Sequence, residues 1–209
     1  MLAIIDYGIG NLFSLKSSFA AIGVETCVTN DIREIERANR LILPGVGAFR
    51  DAAAKLQTTG MAEVVCREAA KGKPIMGICL GMQLLFEKSL EYGEHQGLGL
   101  LKGTVRPIEE VVPNDLKIPH MGWNALDFTE TKHTLFRYIQ PKDCVYFVHS
   151  YYAVADEACV IATAEYGAPL TAAVAKGNVM GCQFHPEKSG NVGLNILRAF
   201  CEMGGEPLC

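Results

Sequence analysis

The sequence predicts an α/β fold, with a central, mostly parallel sheet flanked by helices and extra antiparallel strands in the second half. Three observations predict it. Short runs such as Leu2–Ile5 and Pro74–Ile78 are apolar throughout instead of alternating, as strands buried on both faces are. Segments of helical periodicity separate these runs, and regular alternation of strand and helix is the pattern of a parallel sheet. After about residue 98 closely spaced strand-like runs take over, parted by turn-rich stretches.

Leu2–Ile5 is the first strand. Leu12, Leu15, Phe19 and Ile22 then recur at helical spacing, with Asn11 as N-cap and Gly23 as the stop. Val24–Thr29 reads as a second strand and Asp31–Ala38 as a short polar helix. A third strand, Arg40–Leu43, closes on Pro44-Gly-Val-Gly47. Helices follow over Ala48–Leu56 and Met61–Lys71, ending at Gly72. Pro74–Ile78 is the fourth strand and Leu80–Ser89 a helix behind it. Segments 100–106, 117–127, 144–149, 158–166, 170–175 and 179–184 are strand-like, and Asn191–Met203 closes the chain as a helix. No linker, repeat or low-complexity segment interrupts this, so a single domain is expected over 1–209, with its core at about 2–203 and a short tail at 204–209.

Composition excludes several classes of function. Of 209 residues 49% are hydrophobic and 20% charged, the balance of a folded globule and not of a disordered chain. The formal net charge is −4, and no basic run exceeds Lys71-Gly-Lys73, which argues against nucleic acid as a partner. The longest uncharged apolar stretches, Ile75–Phe86 and Cys144–Ala155, fall short of the ~18–20 residues that span a bilayer. The start lacks a basic region before its apolar run, which reads as no signal peptide and a cytoplasmic protein. None of the eight cysteines forms C-x-C or C-x-x-C, so they read as reduced thiols without a zinc site. His95, His120, His133 and His149 lack ligand spacing and read as ordinary core or surface histidines. No cofactor or metal is expected.

Three segments carry chemistry. Gly77-Ile-Cys-Leu-Gly81 lies between a buried strand and a helix, the context of a nucleophile elbow, in which Cys79 is lifted out of the sheet edge. In Cys182-Gln-Phe-His-Pro-Glu187, the proline forces His185 to be extended, and side chains two apart on an extended chain point the same way. Glu187 can then orient an imidazole aimed at Cys79, completing a nucleophile–base–orienter triad. By itself His-Pro-Glu is a surface-turn motif; the cysteine elbow gives it a catalytic meaning. Pro44-Gly-Val-Gly47 ends a strand at the edge where open parallel sheets bind ligands. Its N–H groups, with that of Leu80, can hold a developing oxyanion. Two glycines flanking Val46 also make a peptide flip cheap in steric terms, a means of switching the oxyanion donor. Neither a phosphate loop nor a dinucleotide fingerprint is present.

Gly77-Ile-Cys-Leu-Gly-Met-Gln83 together with Phe184-His-Pro-Glu187 resembles the class I (triad) glutamine amidotransferases. Asp6-Tyr-Gly-Ile-Gly-Asn11, Leu43-Pro-Gly-Val-Gly-Ala-Phe49, His120-Met-Gly-Trp-Asn124, Phe147-Val-His-Ser-Tyr-Tyr152 and Lys188-Ser189 narrow the resemblance to the branch serving histidine biosynthesis. It implies that Cys79 is the nucleophile, His185 the general base and acid, and Glu187 the orienter. It further implies that Gly45, Val46, Gly47, Leu80, Gln83, Ser150 and Tyr151 serve glutamine and its oxyanion. Gln83, one helical turn after Cys79, can face the same pocket. A heterodimer partner is implied as well, a cyclase/synthase subunit of TIM-barrel fold that receives the ammonia through a sealed path. Asn11, His120, Trp123, Tyr146 and Lys188 are the expected interface, although Trp123, the only tryptophan, also suits core packing. The alternatives are a glutaminase subunit serving pyridoxal phosphate synthesis, an independent cysteine hydrolase of γ-glutamyl peptides, and a non-catalytic binding subunit. The complete triad argues against the last.

Overall fold

In the computed structural model, which describes residues 1–129 and 131–203, the first half of the chain runs β1 (Leu2–Ile5), α1 (Leu12–Ala21), β2 (Thr26–Thr29), α2 (Ile32–Arg37), β3 (Arg40–Leu43), α3 (Phe49–Thr58), α4 (Met61–Ala70), β4 (Ile75–Ile78) and α5 (Leu80–Leu84). The second half runs β5 (Phe86–Ser89), β6 (His95–Gln96), β7 (Leu101–Pro107), β8 (His120–Ala125), β9 (Asp127–Phe128), β10 (Cys144–His149), β11 (Tyr151–Ala155), β12 (Val160–Glu165), β13 (Pro169–Lys176), β14 (Val179–Cys182) and α6 (Gly190–Glu202). The tail expected at 204–209 lies outside the described residues.

The central sheet has the order β2-β1-β3-β4-β14-β13-β12-β9. It is parallel from β2 through β14 and antiparallel beyond. The apolar runs behave as their pattern requires. Ala3, Ile5, Leu41, Leu43 and Ile75 pack on one face with α2, α3 and α4. Leu2, Ile4, Ile42, Met76 and Ile78 pack on the other with Leu15 and Phe19 of α1 and Ile196, Leu197 and Phe200 of α6. Each Leu, Ile, Met or Phe side chain among them contributes about 1.5–3 kcal/mol on burial. Asn11 caps α1 by accepting from the Ser14 N–H (3.4 Å), and Gly23, at φ +77°, follows its end.

Two smaller sheets, β10-β8 and β11-β7-β5-β6, flank the carboxyl ends of the central strands. The second of them corrects the expected helix over Leu80–Ser89. Helix α5 stops after five residues because the carbonyls it needs next are taken from a distance. Leu84 O accepts from Leu98, Leu85 O from Leu101 and Phe86 O from Gly99. The chain then becomes β5, parallel to β7 with Phe86 opposite Leu101 and Ser89 opposite Val105. An apolar run such as Leu84-Leu85-Phe86 suits either element, and non-local hydrogen bonds decide.

Candidate active site

Cys79 sits at the junction of β4 and α5 with φ 55° and ψ −114°. For a residue with a side chain that conformation costs on the order of 1–3 kcal/mol and persists only where the surroundings impose it. Its N–H donates to Cys182 O (2.8 Å), and its carbonyl accepts from Met82 and Gln83 (3.0 and 3.2 Å). Backbone crowding completes the constraint. A Cβ on Gly81 would lie 1.9 Å from Leu43 O, one on Gly77 2.5 Å from Gly81 O, and one on Gly45 2.5 Å from Gly81 N. The glycines of the elbow and of the Pro44–Gly47 loop are therefore where three backbones meet.

Strand β14 lies beside β4 in parallel, with Cys182 opposite Ile78, so the chain leaving β14 passes directly along Cys79. His185 is extended (φ −99°, ψ 97°), as the proline demands. Glu187 reaches it by a different route from the one expected. The chain turns at once into a single 3₁₀ turn, Pro186–Lys188, and this turn brings Glu187 Oε1 2.8 Å from His185 Nδ1. The backbone is held on both sides. His185 N–H donates to Tyr146 O (2.9 Å), while Ser189 Oγ donates to His185 O (2.6 Å) and accepts from the Tyr146 N–H (2.9 Å). Burial pulls the His185 pKa down, but hydrogen bonds to Cys79 and Glu187, and their charges, outweigh it and raise the value to about 9. These partners favour the charged form of the ring.

A cleft of about 660 Å³ opens over these groups. Its walls include Val46, Gly47, Leu80, Gln83, Ser150 and Tyr151, six of the residues expected there from sequence, with Gly45 buried behind the loop. Gln83 Nε2 donates to Tyr151 O (3.0 Å) and to Gln183 Oε1 (2.9 Å), so Oε1 is the atom its amide offers to the cavity. Gln183 Nε2 in turn lies 3.7 Å from Cys79 Sγ. Gln183 was not foreseen, although the same two-residue period that links side chains on an extended chain places it on the His185 side. Glu91, Tyr92 and Glu109 also line the cleft unforeseen. Glu91 accepts from the Phe49 N–H at the start of α3, and Tyr92 meets Tyr151 edge-on at 6.3 Å. They lie in the turns after β5 and β7, where no sequence motif marks them.

Of the residues expected to meet a partner, three gather at one rim of the cleft. Trp123 is 58% exposed and stands edge-on to Tyr146 at 6.1 Å, and Lys188 Nζ lies 5.7 Å from the Tyr146 ring centroid. The exposed ring of Trp123 settles its alternative placement in the core against the core. Met121, 61% exposed, lies on the same strand. Asn11 is half-buried at its capping position. His120 does not reach the surface: it is 3% exposed, stacked between Phe147 (4.8 Å) and Tyr166 (4.1 Å). The alternation of β8 turns it inward while Met121 and Trp123 turn outward.

Cys27, Cys66, Cys79, Cys144, Cys159, Cys182 and Cys201 are free thiols, and Cys209 lies outside the described residues. Burial pushes Cys201 up to about 12 and Cys182 well above the ordinary range, which disfavours the thiolate at both. Among the described residues no His, Cys, Asp or Glu group is arranged to hold a metal, and no helix is long and apolar enough to cross a membrane.

The family model "Glutamine amidotransferase class-I" matches residues 3–203. An "Imidazole glycerol phosphate synthase subunit HisH" of Lactococcus lactis subsp. lactis is 50% identical over 202 residues, covering 96% of this chain and 98% of the relative. The HisH subunit of Caldanaerobacter subterraneus subsp. tengcongensis is 51% identical, covering 97% of this chain and 98% of that one. Among solved structures, a glutamine amidotransferase superposes with a TM-score of 0.75 at 20% identity over 98% of this chain and 99% of its own. PurLQS of Thermotoga maritima superposes with a TM-score of 0.74 at 20% identity over 96% and 97%. Those two share the fold. On the full-length matches the chain belongs to the class-I glutamine amidotransferases and, within them, to the HisH subunits of imidazole glycerol phosphate synthase.

Proposed function

We propose that this chain hydrolyses glutamine at Cys79 and passes the ammonia to a cyclase subunit, the pair making imidazole glycerol phosphate and AICAR in histidine biosynthesis. The observation that carries this reading is the Cys79 elbow on β4 beside the His185–Glu187 pair leaving β14. The Cys79 thiolate attacks the side-chain amide carbon, and the oxyanion is held by the Leu80 N–H with one from Gly45–Gly47. His185 gives its proton to the amide nitrogen, the C–N bond breaks, and ammonia leaves a γ-glutamyl thioester. His185 then takes a proton from water, which attacks the thioester and releases glutamate and the thiolate. Glu187 keeps the imidazole oriented and favours its charged form. Gln83, Ser150 and Tyr151 hold the substrate, and the Glu91 carboxylate supplies negative charge for its ammonium group. No cofactor enters these steps.

The partner is a TIM-barrel cyclase, and the rim formed by Met121, Trp123, Tyr146 and Lys188 is its docking surface, an exposed aromatic–cation cluster beside the cleft. Asn11 belongs to the same interface, the complex is cytoplasmic, and a turn of the Val46 peptide on docking switches the oxyanion donor. The test is ammonia release from glutamine by the chain alone and then with the cyclase subunit and its ribonucleotide, with Cys79→Ala as blank. Low activity alone and a large rise with the loaded partner is the expected result. Strong activity alone, unchanged by the partner, would overturn the gated-subunit reading in favour of an independent hydrolase.

A further inference from the structure

His120 and His149 stand directly opposite each other across the β8–β10 ladder, with His120 Nδ1 3.0 Å from His149 Nε2. They are 3% and 7% exposed. Their neighbours determine where the hydrogens are. His149 Nδ1 lies 2.8 Å from the Tyr151 carbonyl, which only accepts, so Nδ1 carries the hydrogen and Nε2 is an acceptor. His120 Nδ1 therefore donates to it, which leaves His120 Nε2 to accept from Asn124 Nδ2 at 3.3 Å. The Asn124 amide is oriented independently: Nδ2 also donates to Glu165 O (2.8 Å), and Oδ1 accepts from the Ala125 N–H (2.8 Å).

The chain of donors continues past the pair. Tyr151 O also accepts from Gln83, Gln83 donates to Gln183, and Gln183 points at the Cys79 sulfur. We propose that His120 and His149 are positioning residues: as a neutral donor–acceptor pair they fix the Tyr151 carbonyl, and through it Gln83 and Gln183, in the geometry that receives glutamine beside Cys79. This rests on the glutaminase reading of the site. A second proton on either ring would set N–H against N–H and open the chain. The surroundings oppose that proton. The titratable groups facing the pair are His185, whose charge bears on His149, and the phenol of Tyr166 stacked on His120, its hydroxyl donating to Lys117 O (2.7 Å); Glu165 contributes its backbone carbonyl. Burial lowers His120 to about 4; burial, with the charges of His120 and His185, lowers His149 to about 3 against the hydrogen bond to the Tyr151 carbonyl, which raises it.

The experiment uses the complex of this chain with its cyclase subunit. His120→Phe keeps a ring between Phe147 and Tyr166 but offers His149 no hydrogen; His149→Leu removes both bonds, and His149→Asn restores an N–H for the Tyr151 carbonyl. We expect His120→Phe and His149→Leu to raise the KM for glutamine about tenfold with kcat nearly unchanged, the equivalent of one lost hydrogen bond, and His149→Asn to recover most of the loss. In wild-type protein, ¹⁵N NMR of the imidazoles is expected to show both as neutral Nδ1–H tautomers near neutral pH. An unchanged KM in both variants, a fall in kcat alone, or an Nε2–H tautomer at either ring overturns the proposal. Should a variant fail to fold, the wild-type tautomers decide. Wild-type complex that released no ammonia from glutamine would overturn the glutaminase reading instead, and the tautomers would still be measurable.

Discussion

Gly81→Ala isolates the contribution of backbone crowding to the nucleophile. The added methyl would lie 1.9 Å from the Leu43 carbonyl oxygen, 2.9 Å from its carbon and 3.1 Å from the Pro44 carbonyl carbon. Relief to an ordinary C···O contact of about 3.4 Å needs a shift of roughly 1.5 Å, shared between β3 and α5, since no flexible side chain is available to yield. Both shift partners matter: the end of β3 leads into the Pro44–Gly47 loop, and the start of α5 bears the Leu80 N–H. Overpacking of this kind costs about 1–3 kcal/mol of stability, and a displacement of about 1 Å at a catalytic group costs on the order of 100-fold in rate. Stability and rate should therefore part company. Gly72→Ala is the control: its φ is +85° but nothing lies within 4 Å of the new methyl, so it should lose about 1–2 kcal/mol of stability and no activity. Urea unfolding and steady-state glutamine hydrolysis in the complex report the two quantities. If Gly81→Ala kept kcat within about threefold of wild type, the three-backbone junction would not be what sets the oxyanion geometry.

Glu187→Gln removes the charge that helps hold His185 near 9, and should lower kcat by about 100-fold as proton delivery to the leaving ammonia weakens. Because the folded pKa of His185 is raised, its stabilising contribution is full below the ordinary value of about 6.5 and lost as pH rises through about 9. The stability gap between wild type and variant should accordingly shrink above that pH, and a gap independent of pH would count against the ion pair. Trp123→Ala should change stability by less than about 0.5 kcal/mol, since the ring is mostly exposed, yet weaken cyclase binding about tenfold or more by calorimetry. Equal affinity would move the docking surface elsewhere. Glu68, with a side chain 2% exposed, meets Lys73 Nζ at 2.6 Å and Lys71 Nζ at 2.7 Å, and Lys73 also donates to Ile35 O and Glu36 O. Lys73→Met should cost about 2 kcal/mol or more in urea unfolding, because it removes the least exposed of the three cations around a buried carboxylate, leaving Lys71 and the more distant Arg67 at 3.8 Å, and a loss near zero would refute that.

What the sequence made legible was what is encoded locally. Continuous apolar runs identified β1, β3 and β4, and glycines around a cysteine identified the elbow, because both are short-range requirements of a buried strand and a tight turn. His-Pro fixed one backbone conformation and thereby the direction of His185. What stayed hidden depends on distant partners. Strand β5 exists because the amides of Leu98, Gly99 and Leu101 claim the carbonyls of Leu84–Phe86, and nothing within that apolar run announces it. His120 and His149, 29 residues apart, meet only through the register of β8 and β10. Trp123 faces outward through the same register, where composition alone favours the interior.

The adjacency of β4 and β14 has an evolutionary consequence. Nucleophile and base leave neighbouring parallel strands, Cys79 one residue past Ile78 of β4 and His185 three past its partner Cys182 of β14, so their closeness starts from the interstrand spacing of ~4.8 Å. Core residues can then be exchanged over long divergence, provided the ladder and the glycines at its end survive, without moving sulfur and imidazole apart. Change of side chain is least constrained on the outward face of β8, where Met121 and Trp123 stand exposed away from the ladder that carries the hydrolytic centre.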